Sequence, residues 1–219
     1  MQLPRRPERR RAFTLTELVV ILFTVALLFL LMVPLTYQLK QKPQRITCVN
    51  DLKNMGLSFR IFATGNSNSY PLQKLAGALN PHEPGASPSN RAVVECFQAL
   101  STELNTPRLL VCPSDTRKAA TDFGSLRTSN VSYFLGLGST ENLPASLLVG
   151  DRNLAINGIA AGPGILEITT NMNLGWTKDM HRFRGNLALG DGSVQQATGQ
   201  RLNSFIATSG LVTKRIALP

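Results

Sequence analysis

The chain is poor in the residues that most enzymes rely on. Its 219 residues include two histidines, three cysteines and one tryptophan. No serine or cysteine stands in a recognised activating motif. A phosphate-binding P-loop, a dinucleotide fingerprint and a zinc-protease motif are all missing, which argues against an ATPase or a peptidase. Acidic residues are also scarce, 13 against 23 Lys and Arg, for a formal charge of +10. Part of that excess is local: residues 1–12 hold five arginines and one glutamate, which leaves about +6 for the rest. The remaining basicity reads as solvated surface, with acidic lipid or nucleic acid as the alternatives. There is no internal repeat.

What the chain does have is one long apolar run. Leu18 to Leu35 is interrupted only by Thr24 and Pro34, and Phe13 and Leu15 extend it. At about 1.5 Å per residue it covers most of a hydrocarbon layer ~30 Å thick. A cleaved secretory signal is the main rival. Such signals have a shorter apolar core and a small-residue cleavage site after it, and neither fits here. Arg5, Arg6, Arg9, Arg10 and Arg11 precede the run, so the positive-inside rule keeps the N-terminus in the cytoplasm and the remainder outside. One carboxylate, Glu17, lies within the membrane-length segment. On insertion scales such a group costs roughly 2–4 kcal/mol, so it calls for a partner and a function.

Residues 13–63 are expected to form one helix. Ile46, Val49, Leu52, Met55, Phe59 and Phe62 keep helical spacing in its second half. Pro34 is either a tolerated membrane proline or a kink in the stalk, and Pro43 permits a second bend. Residues 64–90 are rich in Gly, Asn, Ser and Pro and read as an exposed connection. An amphipathic helix is expected from Arg91 to Asn105. Strands are expected at Arg108–Cys112, Val131–Leu135, Ser146–Val149, Ile165–Thr169, Asn186–Leu189 and Ser193–Gln196. Asn157-Gly158 and Asp191-Gly192 are hairpin signals. A last helix, Gln200 to Thr208, ends before Gly210. A helix followed by antiparallel strands gives an α+β head, 64–219, on a stalk whose parts are 13–37 in the membrane and 38–63 amphipathic beyond it.

The junction Arg11-Ala12-Phe13-Thr14-Leu15-Thr16-Glu17, with its basic leader and apolar run, resembles the start of a type IV prepilin or type II secretion pseudopilin. The resemblance implies a ladle-shaped fold and removal of residues 1–12 by a prepilin peptidase. It also implies methylation of Phe13, and pairing of Glu17 with the Phe13 amine of a neighbouring subunit during assembly. Ala12 stands where the family usually has Gly. Thr14 and Glu17 also fit a capping box, and the two roles are compatible. In this family a proline near the depth of Pro34 marks a weak point in the stalk.

Three further stretches resemble pilin-like proteins of the planctomycete and verrucomicrobial type. Cys48-Val49-Asn50-Asp51-Leu52-Lys53-Asn54-Met55-Gly56-Leu57 resembles their CxNNLKxxGLA pattern, with Asp51 in place of an Asn and Ser58 in place of the usual Ala. Cys112-Pro113-Ser114-Asp115 matches a CPSD element, and His181 followed by Asp191-Gly192 matches an H-x9-DG element. The resemblance favours a Cys48–Cys112 disulfide. From the residues alone three pairings are open, as are three free thiols.

His181 and Asp191 could face each other as an acid–base pair. Turn geometry already accounts for Asp191 and Gly192, and His181 is read as a structural residue fixing the loop before the hairpin. Calcium, through Asp151, Asp179 and Asp191, is a minor option. The spacing of the cysteines does not suggest zinc, and no cofactor is expected. The implied function is a structural filament subunit of a type IV pilus or type II secretion system, not an enzyme. Its implied partners are prepilin peptidase, other pilin or pseudopilin subunits, an inner-membrane assembly platform and the lipid bilayer. The alternatives are a minor pilin that binds DNA or a surface, although nucleic acid is not an expected partner, and an enzyme anchored by the helix.

Overall fold

The computed structural model describes residues 14–73, 88–169, 171–210 and 214–219. Ala12 and Phe13 lie outside the described residues, as does most of the expected connection at 64–90. Helix α1 spans Leu15–Gly65 and includes both Pro34 and Pro43. The chain divides into two compact units, residues 1–42 and 43–219.

In the first unit, Leu15–Met32 is long and apolar enough to cross a membrane, with a mean hydropathy of 2.7 and every side chain exposed. A signal sequence near an N-terminus would meet the same criterion. Thr24 satisfies its hydroxyl inside the helix, donating to the Ile21 carbonyl at 2.9 Å. That is the local solution a hydroxyl needs where water is excluded.

The second unit is α+β. Its helices are the later part of α1, then α2 (Pro88–Ala99), α3 (Ser101–Leu104) and α4 (Gly199–Thr208). Its strands are β1 (Tyr133–Gly136), β2 (Leu147–Asp151), β3 (Leu154–Ile156), β4 (Ile159–Ala160), β5 (Gly164–Ile168), β6 (Leu174–Trp176), β7 (Gly185–Leu189), β8 (Val194–Ala197) and β9 (Lys214–Leu218). Six strands form an antiparallel sheet in the order β5-β9-β1-β2-β7-β8, and β4-β3-β6 form a small one.

Alternation along the strands sends side chains to two cores. Tyr133, Leu135 and Ala188 join Cys48, Leu52, Met55, Phe59 and Ala63 of α1 and Val93, Cys96 and Phe97 of α2. Phe134, Leu187 and Leu189 point the other way, onto Leu202 and Ile206 of α4 and Leu154, Leu174 and Trp176 of the small sheet. The large sheet is thus the middle layer, covered on both faces.

Several expectations are corrected. The buried stripe of α1 is Cys48, Leu52, Met55, Phe59 and Ala63, whereas Ile46 is exposed and Val49 and Phe62 are only partly buried. The helix faces the core with its small residues as well as its large ones. Arg108–Cys112 is not a strand. Pro107 occupies the first turn of a 3₁₀ helix, Pro107–Leu110, with the Thr106 side chain as its cap, as its fixed φ favours. The expected helix from Arg91 to Asn105 is two pieces, broken at Leu100 and ended by Asn105 at φ 61°. Strands β3, β4, β6 and β9 were not expected.

Candidate functional site

Two motifs bring their residues to one place beneath the large sheet. Cys48 arrives on α1. Cys112 arrives on the chain leaving the 3₁₀ helix, which is held to the start of β1 by the Ser132 N–H donating to the Leu110 carbonyl at 2.8 Å. The two cysteines form a buried disulfide, with Cα atoms 5.1 Å apart, and Cys96 is a buried free thiol. The loop closed by that bond spans 64 positions.

Cys112-Pro113-Ser114-Asp115 then makes a turn in which the Asp115 N–H donates to the Cys112 carbonyl at 2.8 Å. Asp115 receives both arms of the Arg152 guanidinium at 2.7 Å. Burial is the largest single influence and would raise this carboxyl, but the hydrogen bonds from Arg152, the Ser132 hydroxyl, the Arg152 charge and the Thr116 N–H together outweigh it and hold it below its usual range.

Arg152 follows Asp151, the last residue of β2 and fully buried. Asp151 Oδ2 accepts the backbone N–H of Asn186 at 2.7 Å and its side-chain amide at 2.8 Å. Its other oxygen, Oδ1, is buried without a hydrogen-bond partner among the described residues, as is the Tyr133 hydroxyl. His181 Nε2 lies 3.3 Å from Asp151 Oδ2 and 3.4 Å from Cys112 Sγ. Burial raises Asp151 to about 7 and lowers His181 to about 4, with the charge of Arg45 acting in the same direction on the histidine. The contact is therefore made by a neutral imidazole rather than by a full ion pair.

The loop that carries His181, between β6 and β7, is unusually constrained. Met180, Arg182 and Phe183 all have positive φ, at 60°, 52° and 61°. Such backbone costs of order 1–3 kcal/mol per residue and persists only where its surroundings enforce it. Here Asn153 does so, its amide directed at the carbonyls of Asp179 and Arg184 at 2.9 and 3.2 Å. Arg45 of α1 donates to the His181 carbonyl at 3.3 Å.

Asp191 is elsewhere. His181 precedes β7 and Asp191 follows it, so the strand separates them and they do not form an acid–base pair. The β7–β8 connection is a four-residue turn in which Asp191 Oδ1 accepts the Ser193 N–H at 2.8 Å and Gly192 adopts φ 81°. This turn seats on α1: a Cβ on Gly56 would stand 3.1 Å from the Gly192 carbonyl oxygen. Tyr70 donates to the Gly190 carbonyl at 2.8 Å, which fixes the same turn. Asn157 and Gly158, both with positive φ, close the β3–β4 hairpin.

The three carboxylates considered for calcium are not brought together. Asp151 is buried against His181, Asp179 accepts from the Thr177 hydroxyl at 3.2 Å, and Asp191 caps its own turn. Among the described residues, the group of His, Cys, Asp and Glu side chains whose ligand atoms converge is Cys48, Cys112 and His181, all within 4.8 Å of one another. Sequence reasoning missed Asp151 as the partner of His181, and missed Arg45, Asn153 and Asn186 as its supports. The signal available was Asp151-Arg152-Asn153, a polar triplet closing an apolar strand.

At the other end of the chain, Glu17 and Thr14 form a capping box. Glu17 Oε2 accepts the Thr14 N–H at 3.0 Å and its hydroxyl at 2.8 Å, while the Glu17 N–H donates to Thr14 Oγ1 at 3.3 Å. Glu17 is exposed. No family model, curated protein or solved structure matches the chain.

Proposed function

We propose that this chain is a structural filament subunit, a pilin or pseudopilin of a type IV pilus or type II secretion system. A prepilin peptidase removes residues 1–12. The apolar helix then holds the subunit in the inner membrane, with the α+β unit on the far side, until an assembly platform transfers it to the filament. The observation that carries this reading is the placement of one carboxylate, Glu17, four residues beyond Phe13 at the start of a membrane-length helix. A helix apolar on all sides suits lipid before assembly and sister helices after it.

A structural rather than catalytic role is supported by the geometry at His181. In a Cys-His-Asp relay, the nucleophile and the carboxylate address opposite ring nitrogens. Here Cys112 and Asp151 both approach Nε2, and the sulfur is already in a disulfide. The reading is tested by comparing surface filaments by electron microscopy in cells with and without the chain, and by locating the chain with antibody. Filaments that neither contain the chain nor change on its removal would refute it.

A further inference from the structure

We propose that Cys48, Cys112, His181 and Asp151 form a site for one tetrahedral divalent cation of the zinc class, assembled when the disulfide between the two cysteines is reduced. Cys48, Cys112 and His181 already converge, and Asp151 adjoins the imidazole. Nε2 of His181 stands 3.4 Å from Cys112 Sγ and 3.3 Å from Asp151 Oδ2, and Cys48 Sγ lies within 4.8 Å of both Cys112 Sγ and the imidazole. With zinc bonds of about 2.1 Å to N or O and 2.3 Å to S, neighbouring ligands of a tetrahedron are about 3.4–3.8 Å apart. Two of the required edges are thus close to their final length.

The direction of approach also points to a cation. A sulfur and a carboxylate both address the same nitrogen. A proton on that nitrogen can serve only one of them well, whereas a metal ion serves all three. Asp151 has a buried oxygen without a partner among the described residues, and Asn186 fixes the other oxygen from two directions, the kind of outer contact that orients a metal-bound carboxylate. Charge is provided for as well. Two thiolates, a carboxylate and a divalent cation sum to a single negative charge, and the Arg45 guanidinium is held beside the site on the His181 carbonyl. The left-handed residues on both sides of His181 are a second, independent sign that its position is enforced at some energetic cost.

The chemistry balances as follows. A dithiol reductant gives two electrons and two protons to the Cys48–Cys112 bond and becomes a disulfide itself, leaving two thiols. The cation then displaces both thiol protons to solvent and takes the two sulfurs, Nε2 and the carboxylate as ligands. Disulfide and metal are therefore alternative staples between α1 and the segment after the 3₁₀ helix.

The test uses the full chain in detergent, reduced with a water-soluble phosphine in metal-free buffer and titrated with Co²⁺. The expected result is one ion per chain. It should show the visible bands of tetrahedral cobalt and a thiolate charge-transfer band, both abolished by Zn²⁺ and both absent from the oxidised protein. Cys96→Ser should bind as the parent does, while Cys48→Ser and His181→Gln should bind at least about tenfold more weakly. Reduced protein that gives no tetrahedral signal, or Cys48→Ser binding like the parent, would overturn the proposal. So would reduced chain that unfolds and is not restored by Zn²⁺. Should the variants fail to fold, the comparison of oxidised with reduced parent decides alone.

Discussion

At the scale of single residues, two positions carry a cost that a substitution would expose. Asp51 is nearly buried on α1, and burial raises its carboxyl to about 6 from an ordinary 3.8. Its folded form therefore binds more protons than the unfolded chain between those values, and stability falls as pH rises through that window. Above pH 6 the full cost is present, about 1–2 kcal/mol once solvent screening is allowed for. Asp51→Asn should remove it. Denaturant melts of the two proteins should diverge between pH 4 and 6, with the variant the more stable at pH 7 and the pair nearly equal at pH 3.5. The other position is Gly56. An alanine there would gain about 1 kcal/mol of helix propensity. Its Cβ would press on the backbone of Gly192, which Tyr70 holds in place through the neighbouring Gly190 carbonyl. The contact is with backbone rather than a flexible side-chain end, so crowding wins. Gly56→Ala should lower stability by about 1 kcal/mol, and Gly56→Val by more, as read from shifts in denaturation midpoint.

Among the elements, what could be read in advance follows physical locality. The α4 helix, the β7–β8 hairpin and the β3–β4 turn were legible because local features mark them: an amphipathic repeat and glycines at positive φ. Strand β9 was not. It opens with Lys214-Arg215, yet Ile216, Ala217 and Leu218 are buried because β1 and β5 pair with it from either side. The site shows the same division. Cys48 and Cys112 stand out through their motifs, whereas the carboxylate beside His181 is not legible from its own motif, in which turn geometry already accounts for Asp191. That carboxylate is Asp151, brought close because β2 pairs with β7. The Cys48–Cys112 bond matters at this scale because it closes a loop of 64 positions and ties α1 to the segment after the 3₁₀ helix. Reducing it in the presence of a chelator should cost about 4 kcal/mol by the chain-entropy argument. The check is a denaturant titration of oxidised and reduced protein, for which superimposable curves would mean that packing of α1 alone determines stability.

For the whole molecule, the proposed filament function depends on what happens before and after Glu17. Processing comes first. Mass spectrometry of the membrane-extracted protein should find Phe13 at the N-terminus, carrying an added methyl group. An intact Met1 in cells that contain the peptidase would remove the basis of the filament reading. Assembly follows, and here the capping box and the proposed pairing make different demands on the same side chain. The box needs an acceptor oxygen, which Glu17 directs at the Thr14 N–H and hydroxyl, and glutamine supplies such an oxygen equally. Pairing with the Phe13 amine of a neighbouring subunit needs the negative charge, since in lipid a bare carboxylate and a bare ammonium are each costly and offset one another only together. Glu17→Gln should therefore preserve the helix start and the cleavage before Phe13 yet fail to polymerise, as Glu17→Ala should. The readouts are the N-terminal mass of each variant and the filament count by electron microscopy. Normal filaments from Glu17→Gln together with their loss in Glu17→Ala would assign Glu17 to helix capping and end the pairing mechanism. Normal filaments from both would leave the carboxylate without a part in assembly.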